Sequence, residues 1–201
     1  MIKIFGDGLS GNCYKIKLLM QLLEIPHDWE HVDILSGATQ SDEFKRMNPN
    51  TRVPVLGLPD GSFLWESNAI LNYLAEGTAL LPEDRYLRAQ VLQWQFFEQY
   101  SHEPYIATAR YINTYLGLPP EREEEYRAKQ PGGHKALALM EGHLEGQRFF
   151  VGGVPTIADI SLYAYSHVAD EGGFDLSGYP NIRNWCRRIE QLPGYVVMKS
   201  V

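Results

Sequence analysis

The sequence has little cysteine, because Cys13 and Cys186 are the only two thiols among its 201 residues and they lie far apart. Disulfide scaffolds and zinc sites need several cysteines or histidines at short, regular spacings. The six histidines show no metal-ligating pattern such as H-E-x-x-H either. We therefore expect neither a disulfide framework nor a metal site, and the cysteine usage indicates a reduced, cytoplasmic protein.

Long runs of one charge and long apolar segments are also missing. Eighteen Lys and Arg residues against twenty-five Asp and Glu residues give a formal net charge of −7 without a basic stripe, which disfavours a nucleic-acid partner. Residues 1–12 lack the basic and apolar regions of a secretory signal, and no other stretch reads as a membrane span. We expect no nucleic-acid partner and no association with a membrane.

The composition that remains is that of an ordinary globular protein, with 44% hydrophobic, 12% aromatic and 21% charged residues. Its length suffices for two small domains. In residues 1–77, short apolar runs alternate with helical periods, which predicts an α/β domain. We expect strands at 2–5 and 29–34, helices at 12–23, 41–47 and 66–75, and a hairpin of 53–58 with 63–64.

From residue 86 to residue 201 the strand signals nearly vanish, and the periodicity predicts an all-α domain. Its expected helices are 86–115, 121–146 with an interruption at 131–133, 156–169 and 180–191. Residues 156–159 read Thr-Ile-Ala-Asp, which is the form of a capping box. We therefore expect a helix that begins at Thr156 and is central to the second core.

Ser10 lies at the junction between the first strand and the first helix. Backbone N–H groups are unpaired at a helix N-terminus, and the helix dipole favours negative charge there. Ser10 either caps the helix or donates a hydrogen bond to a bound thiolate, which would lower the pKa of that thiol. The sequence leaves both roles open.

Two further patterns are candidate binding elements. Pro54 follows Val53 at the start of a strand, where proline indicates an edge strand or a cis peptide bond. The cis form would leave the Val53 backbone free to pair with an extended peptide. Glu66 and Ser67 begin a helix, where an anion site beside an acidic acceptor suits an amino-acid head group, although an acidic residue there often only matches the helix dipole.

The ordered set of motifs resembles the cytosolic glutathione transferase family, in its bacterial, serine-type, theta-like form. The motifs are residues 10–13, 48–49, 52–56, 66–67 and 156–159. The resemblance covers essentially the whole chain. It implies an α/β thioredoxin-like N-terminal domain at 1–77, an all-α C-terminal domain at 86–201, and a homodimer.

The resemblance also implies that glutathione is the co-substrate, bound in the first domain without a metal. Ser10 and Asn12 would stabilise its thiolate. Pro54 would be the family's cis-proline, and Val53 would pair through its backbone with the cysteinyl unit. Glu66 and Ser67 would hold the γ-glutamyl head, and Gln40 and Arg52 would meet the glycyl end. Arg52 stands where many members have Lys, which keeps the charge but changes the geometry.

The resemblance further implies an electrophile pocket along the helix at 86–115, with His102, Tyr105 and Tyr111 as candidates. Aromatic residues at helical spacing are more often part of a core. Cys13 follows Ser10 at the spacing of a redox C-x-x-C whose first Cys is replaced, which excludes a dithiol mechanism. We expect Cys13 to be a buried, inert thiol.

The helices at 66–75 and 86–115 carry apolar and aromatic residues on more than one side. A helix packed on one face needs only one apolar stripe. The surplus therefore indicates either deeper burial within the monomer or contact with a second copy, and we favour the second copy. The residues in question are Leu71, Tyr73, Trp94, Phe96, Phe97 and Tyr100.

We therefore predict an enzyme that binds glutathione and conjugates it to an electrophilic small molecule, whose identity the sequence does not reveal. A glutathione-dependent disulfide reductase or peroxidase is the nearest alternative; in the reductase the bound thiolate attacks a disulfide instead of carbon. A non-catalytic scaffold protein that keeps the fold is a third alternative.

Overall fold

A computed structural model describes residues 1–198 of the chain, which form two compact units. The N-terminal unit contains Met1–Gly77 and the segment that begins at Leu192, and the helical unit contains Thr78–Gln191. The predicted division into 1–77 and 86–201 differs from this at the C-terminal end. There the Tyr14 hydroxyl donates a 2.8 Å hydrogen bond to the carbonyl of Val196, which ties the last described residues to the N-terminal unit.

The N-terminal unit is built on a mixed sheet whose four described strands lie in the order β2-β1-β3-β4. Their bounds are Ile2–Gly6 for β1, His27–His31 for β2, Val55–Gly57 for β3 and Phe63–Trp65 for β4. β1 is parallel to β2 and antiparallel to β3, so Ile4 pairs with both Trp29 and Leu56. β3 and β4 form the predicted hairpin. The α/β class of the first half is confirmed.

β2 begins and ends earlier than the strand predicted at 29–34. The Asp33 carboxylate accepts hydrogen bonds from the backbone N–H groups of Leu35 and Ser36, at 2.9 and 3.1 Å. An aspartate that bonds to the backbone two residues ahead closes a turn. The chain therefore leaves the sheet after His31.

The described part of the N-terminal unit has three α-helices, which are α1 (Gly11–Leu22), α2 (Asp42–Met47) and α3 (Ser67–Ala75). α1 packs against α3. Serine hydroxyls begin two of the helices, because Ser10 accepts the N–H of Cys13 and Ser41 accepts the N–H of Phe44. Each cap satisfies a backbone donor that the helix itself leaves unpaired.

The helical unit begins with one long run of helix. Its parts are α4 (Arg85–Phe97), a π-helical turn (Glu98–His102), α5 (Glu103–Arg110) and a second π turn (Tyr111–Tyr115). The first π turn lies just before Pro104, whose ring would clash with the carbonyl of Tyr100 in a regular α-helix. The wider turn relieves that clash. The predicted helix at 86–115 is confirmed, with two changes of pitch.

The other described α-helices are α6 (Glu123–His143), α7 (Ile157–Ser166) and α8 (Pro180–Glu190). α6 runs through Pro131 without a break, so the interruption predicted at 131–133 is wrong. At Gly132 and Gly133 the helix lies against the rings of Tyr105 and Phe174, and an added Cβ atom would overlap each ring. These glycines therefore serve close packing and do not form a turn.

α7 is central to its unit, because all ten of its residues are buried. Thr156 and Asp159 form the predicted capping box at its start. The Asp159 carboxylate also accepts hydrogen bonds from the N–H of Phe150 and the indole of Trp185, at 3.0 and 2.9 Å. Burial raises the pKa of Asp159 to about 6 in spite of these donors. The Asp159 carboxylate thus joins α7 to α8 and to the loop before α7, which contains Phe150.

Candidate functional site

The register of the sheet brings three of the predicted motifs to one end of it. Phe5 of β1 pairs with Val55 of β3, and Val55 pairs with Trp65 of β4. The chain therefore leaves β1, enters β3 and leaves β4 at the same end. The loop that leads to Ser10, the 53–54 peptide bond and the start of α3 all lie there.

Ser10 is held at the N-terminus of α1 by a short, ordered loop. The carbonyl of Asp7 accepts the N–H of Ser10 at 3.2 Å, and the carboxylate of Asp7 accepts the N–H of Leu9 at 2.8 Å. The Ser10 hydroxyl caps α1 by accepting the N–H of Cys13 at 3.4 Å. A hydroxyl that accepts a hydrogen bond still has its own proton to donate. The capping role therefore does not prevent Ser10 from donating to a ligand.

Cys13 has no exposed surface, which confirms the prediction that it is buried. Burial raises the pKa of its thiol to about 12, although the hydrogen bond to Ser10 and the charge of Lys15 act in the opposite direction. Its sulfur packs against Gly6, where an added Cβ atom would come within 3.0 Å. A thiol with this pKa is protonated at pH 7, so Cys13 is not a nucleophile.

The peptide bond between Val53 and Pro54 is cis, as one of the two interpretations of the sequence predicted. Pro54 is buried directly before β3, and Val53 is half-buried. Among residues 1–198 the backbone of Val53 has no hydrogen-bond partner. Its N–H and C=O groups can therefore pair with an extended peptide.

Asn48 fixes the loop that leads to this bond. Its side chain is 2% exposed, donates to the carbonyl of Arg52 at 2.7 Å and accepts the N–H of Asn50 at 2.9 Å. Gln40 donates from Nε2 to the hydroxyl of Thr51 at 3.2 Å. Gln40 and Arg52 are exposed, so the two residues predicted for the glycyl end lie at the surface of the same loop region.

The start of α3 combines Glu66 with Ser67. Glu66 precedes the helix with a φ of 70°, a left-handed conformation that is unfavourable for a non-glycine residue and is concentrated at functional sites. Glu66 is exposed, whereas Ser67 is 6% exposed. The first N–H groups of a helix favour a carboxylate, and the Glu66 carboxylate beside them favours an ammonium group. The pair matches the two charges of an amino-acid head group.

A chain of hydrogen bonds joins the start of α3 to α1. The Ser67 hydroxyl donates to Oδ1 of Asn12 at 3.2 Å and accepts from Nζ of Lys15 at 3.3 Å. Lys15 has no exposed surface. Sequence reasoning missed Lys15, although it lies next to Ile16 of the apolar stripe and one turn after Asn12. A lysine on the buried face of a helix needs polar partners, and that requirement was the available signal.

The helical unit places the three residues predicted for an electrophile pocket in different surroundings. His102 has no exposed surface, and its Nε2 lies 2.9 Å from the hydroxyl of Ser166. Tyr105 lines a groove of about 220 Å³ beside α6. Tyr111 is half-buried. Of the three, Tyr105 and Tyr111 have accessible surface, whereas His102 lies in the interior of the unit.

Two absences hold for residues 1–198, the part of the chain that the structure describes. None of their helices is both long enough and apolar enough to cross a bilayer. None of their His, Cys, Asp and Glu side chains gather in groups of three or more that could hold a metal ion.

Two family models match the chain. The one described as the glutathione S-transferase N-terminal domain matches residues 9–76, and the one described as the glutathione S-transferase C-terminal domain matches residues 94–193. The two matches together span most of the chain and divide it as the motifs of the sequence do.

Individual proteins are similar to the whole chain. The crystal structure of a glutathione S-transferase from Pseudomonas fluorescens has a TM-score of 0.97 and 58% identity, with 98% of each chain covered. The disulfide-bond oxidoreductase YfcG of Escherichia coli strain K12 is 29% identical, with 94% of this chain and 91% of that protein covered. Ure2p in complex with glutathione has a TM-score of 0.83 at 23% identity, covers 96% of this chain and 90% of that one, and shares the fold.

Proposed function

Because the chain belongs to the glutathione transferase family, we propose that it is an enzyme that binds glutathione in its N-terminal unit and conjugates it to an electrophilic small molecule. We take the site to be of the serine type, with Ser10 and Asn12 facing the sulfur. The observation that carries the proposal is the sheet register, which gathers the Ser10 loop, the cis bond at Pro54 and the start of α3 at one end of the sheet.

The γ-glutamyl head of glutathione would bind at the start of α3. Its carboxylate would accept the backbone N–H groups of the first turn, which begins with Ser67, and its ammonium would face the carboxylate of Glu66. The cysteinyl unit would pair with the backbone of Val53. Gln40 and Arg52 would meet the glycyl carboxylate from the neighbouring loop. Each polar end of the tripeptide thus has a group of suitable charge or hydrogen-bonding capacity.

The sulfur would lie at the N-terminus of α1. The Ser10 hydroxyl and the Asn12 amide would donate to it, and the positive end of the helix dipole favours the ionised form. The pKa of the bound thiol would therefore fall, and its proton would leave to solvent. The thiolate then attacks the electrophilic carbon and forms a carbon–sulfur bond, while the displaced electron pair leaves with the departing group or takes a proton. The protein supplies positioning and electrostatic stabilisation.

Binding and turnover measurements test this function. Glutathione at millimolar concentration should raise the melting temperature, because a ligand that binds only the native state stabilises it. Turnover is then measured with glutathione against aryl halides, enals, peroxides and mixed disulfides. Products from aryl halides or enals above the uncatalysed rate would support conjugation. No thermal shift and no turnover would instead favour the non-catalytic scaffold.

A glutathione-dependent disulfide reductase or peroxidase is the second candidate. It is favoured by the similarity to a protein named as a disulfide-bond oxidoreductase. In disulfide reduction the bound thiolate attacks one sulfur of a disulfide, which releases the other as a thiolate and leaves a mixed disulfide with glutathione. Faster turnover of mixed disulfides than of aryl halides in the same assay would favour this reaction.

We also propose that the protein is a homodimer. Leu92, Phe96 and Tyr100 follow one another at a spacing of four along the first helical run, and they are 40%, 62% and 79% exposed. Such a row is typical of a face that a second copy covers. Leu71 and Trp94, in contrast, are buried within their own units, so they belong to the faces that pack inside the monomer.

The remaining proposals concern the electrophile and the location in the cell. We propose that the electrophile contacts Tyr105 and Tyr111, both of which have accessible surface, and we leave His102 out of that set. We propose a cytoplasmic location because both cysteines are free thiols, which is typical of proteins from reducing compartments.

A further inference from the structure

We infer that Lys15 is a positioning residue that couples recognition of the glutamyl head at α3 to stabilisation of the sulfur at α1. The inference rests on the proposed function, since it assigns the sulfur to Asn12 and the head group to the start of α3. Beyond that function, it assigns a role to Lys15 and a direction to the hydrogen bonds of Ser67. It also couples the glutamyl head of the ligand to its sulfur.

The direction of the hydrogen bonds follows from the chemistry of the three groups. An ammonium group has donors only, so Lys15 must donate to Ser67. Ser67 accepts that bond with one lone pair and donates its single proton to Oδ1 of Asn12. With Oδ1 engaged as the acceptor, the amide N–H groups of Asn12 point away from Ser67. The chain from Lys15 through Ser67 thus sets which end of the Asn12 amide faces Ser67.

The charge of Lys15 strengthens this arrangement. Lys15 is completely buried, and a charge in a low-dielectric interior polarises the hydrogen bonds that extend from it. Its field reaches the first turn of α1, because it is one of the groups that lower the pKa of Cys13 against the larger effect of burial. The charge of Asp7 acts on the pKa of the same thiol in the opposite direction. A donor polarised by a cation holds a thiolate more strongly than a neutral one.

The same cation also lies under the first turn of α3. Ser67 is the first residue of that helix, and its hydroxyl is the group that Lys15 contacts. A carboxylate bound at the N–H groups of this turn would orient the backbone that carries Ser67. Occupation of the head-group position therefore stabilises the side-chain geometry that orients Asn12, and the coupling runs in both directions.

The test is a double-substitution cycle of Lys15→Met and Asn12→Ala, read out on two ligands. The pKa of bound glutathione is measured by thiolate absorbance, and affinities are measured for glutathione and for S-methylglutathione, which has no ionisable thiol. We expect Lys15→Met to raise the bound thiol's pKa by about one unit and to weaken glutathione about tenfold. In the Asn12→Ala background the effect of Lys15→Met on that pKa should disappear.

Two further variants make the result specific. Lys15→Arg keeps the charge and should retain most of the thiol's pKa depression, although a guanidinium reaches Ser67 with a different geometry. Lys17→Met removes a lysine from the same helix two residues on, where the side chain is partly exposed, and should leave the thiol's pKa unchanged. Retained affinity for S-methylglutathione would show that Lys15→Met still folds around an intact head-group site.

The outcomes separate this inference from the proposed function. Failure of the unsubstituted protein to bind glutathione would overturn both. Binding with a depressed thiol pKa that Lys15→Met leaves unchanged would overturn only the role of Lys15. Persistence of the Lys15→Met effect in the Asn12→Ala background would show direct action of the charge on the sulfur, and would overturn the coupling through Ser67.

Discussion

The Ser67 hydroxyl donates a 3.2 Å hydrogen bond to Asn12, which lies 55 positions earlier in the chain. One residue belongs to the first turn of α3 and the other to the first turn of α1. Each of these turns carries a row of backbone donors that favours an anion. Two helix ends that each favour an anion are thereby joined by a hydrogen bond, which suits a ligand with a carboxylate near one end and a thiolate at its centre.

Replacement of Ser10 separates its capping role from its role at the sulfur. Ser10→Ala should raise the pKa of bound glutathione and lower turnover by about a hundredfold, because a positioned donor to an anion is worth a few kcal/mol in an enclosed site. Thiolate absorbance against pH in the binary complex measures the shift. Ser41→Ala is the matched control, since it removes the equivalent cap of α2 and should cost about 1 kcal/mol of stability without moving the titration. An unchanged curve for Ser10→Ala would restrict Ser10 to helix capping and leave the sulfur to Asn12.

Replacement of Glu66 tests recognition of the head group. Glu66→Gln keeps the shape of the side chain but removes the charge that would face the ammonium, so the affinity for glutathione should fall severalfold while turnover at saturation changes little. Calorimetric titration and steady-state kinetics give the two quantities. Glu24→Gln is a matched control, because Glu24 is also exposed and also has a positive φ. A loss of turnover with unchanged affinity would contradict the assigned role.

Asp159 should make the stability of the helical unit depend on pH in an unusual direction. Burial raises its pKa from the ordinary 3.8 to about 6, so the native state binds a proton more tightly than the unfolded state. The contribution of this group is greatest below pH 4 and falls as the pH rises through 6, by up to about 3 kcal/mol. Asp159→Asn removes the titration. The measurement is the free energy of unfolding of the unsubstituted protein minus that of the variant. This difference should decrease between pH 4 and pH 7. A difference that stays flat or rises would exclude the predicted behaviour.

The homodimer has a direct test in solution. Light scattering at micromolar concentration should give about twice the chain mass of 22.9 kDa. Phe96→Glu places a charge in the middle of the exposed apolar row and should shift the mass toward one chain, because an unpaired charge is costly to bury. Leu35→Glu, at an isolated exposed leucine, is the control and should leave the mass unchanged. A single-chain mass for the unsubstituted protein would rule out the dimer.

The features that could be predicted from the sequence are those encoded within a few neighbouring residues. The Ser10 cap and the capping box at Thr156 each depend on a hydroxyl and a backbone donor within three positions. The cis bond at Pro54 was one of two local alternatives. The motif order then placed these features in a known family, which supplied the long-range arrangement that local patterns do not contain.

The features that were missed depend on packing between distant segments. In the sequence Lys15 cannot be distinguished from an ordinary helix residue, because the Ser67 hydroxyl to which it donates belongs to α3. The glycines of α6 predict a break in the helix when only the local sequence is considered. In the structure, Tyr105 and Phe174 occupy the space that side chains at these positions would need. In both cases the cause lies in an element far along the chain.

The two π turns have a consequence for how related proteins diverge. Each π turn contains one residue more than an α turn, so every side chain after it is rotated by about 100° about the helix axis. The faces on which Tyr105 and Tyr111 lie are therefore set by the turn at Glu98–His102 as much as by the choice of residue, and the turn at Tyr111–Tyr115 acts on the side chains that follow it. Gain or loss of a single residue at such a turn would rotate all later side chains of the helix by about 100°, so that a different set of them would occupy each face. Under the proposed contact of Tyr105 and Tyr111 with the electrophile, substrate preference in such a lineage can thus change through one insertion, with no substitution at either tyrosine.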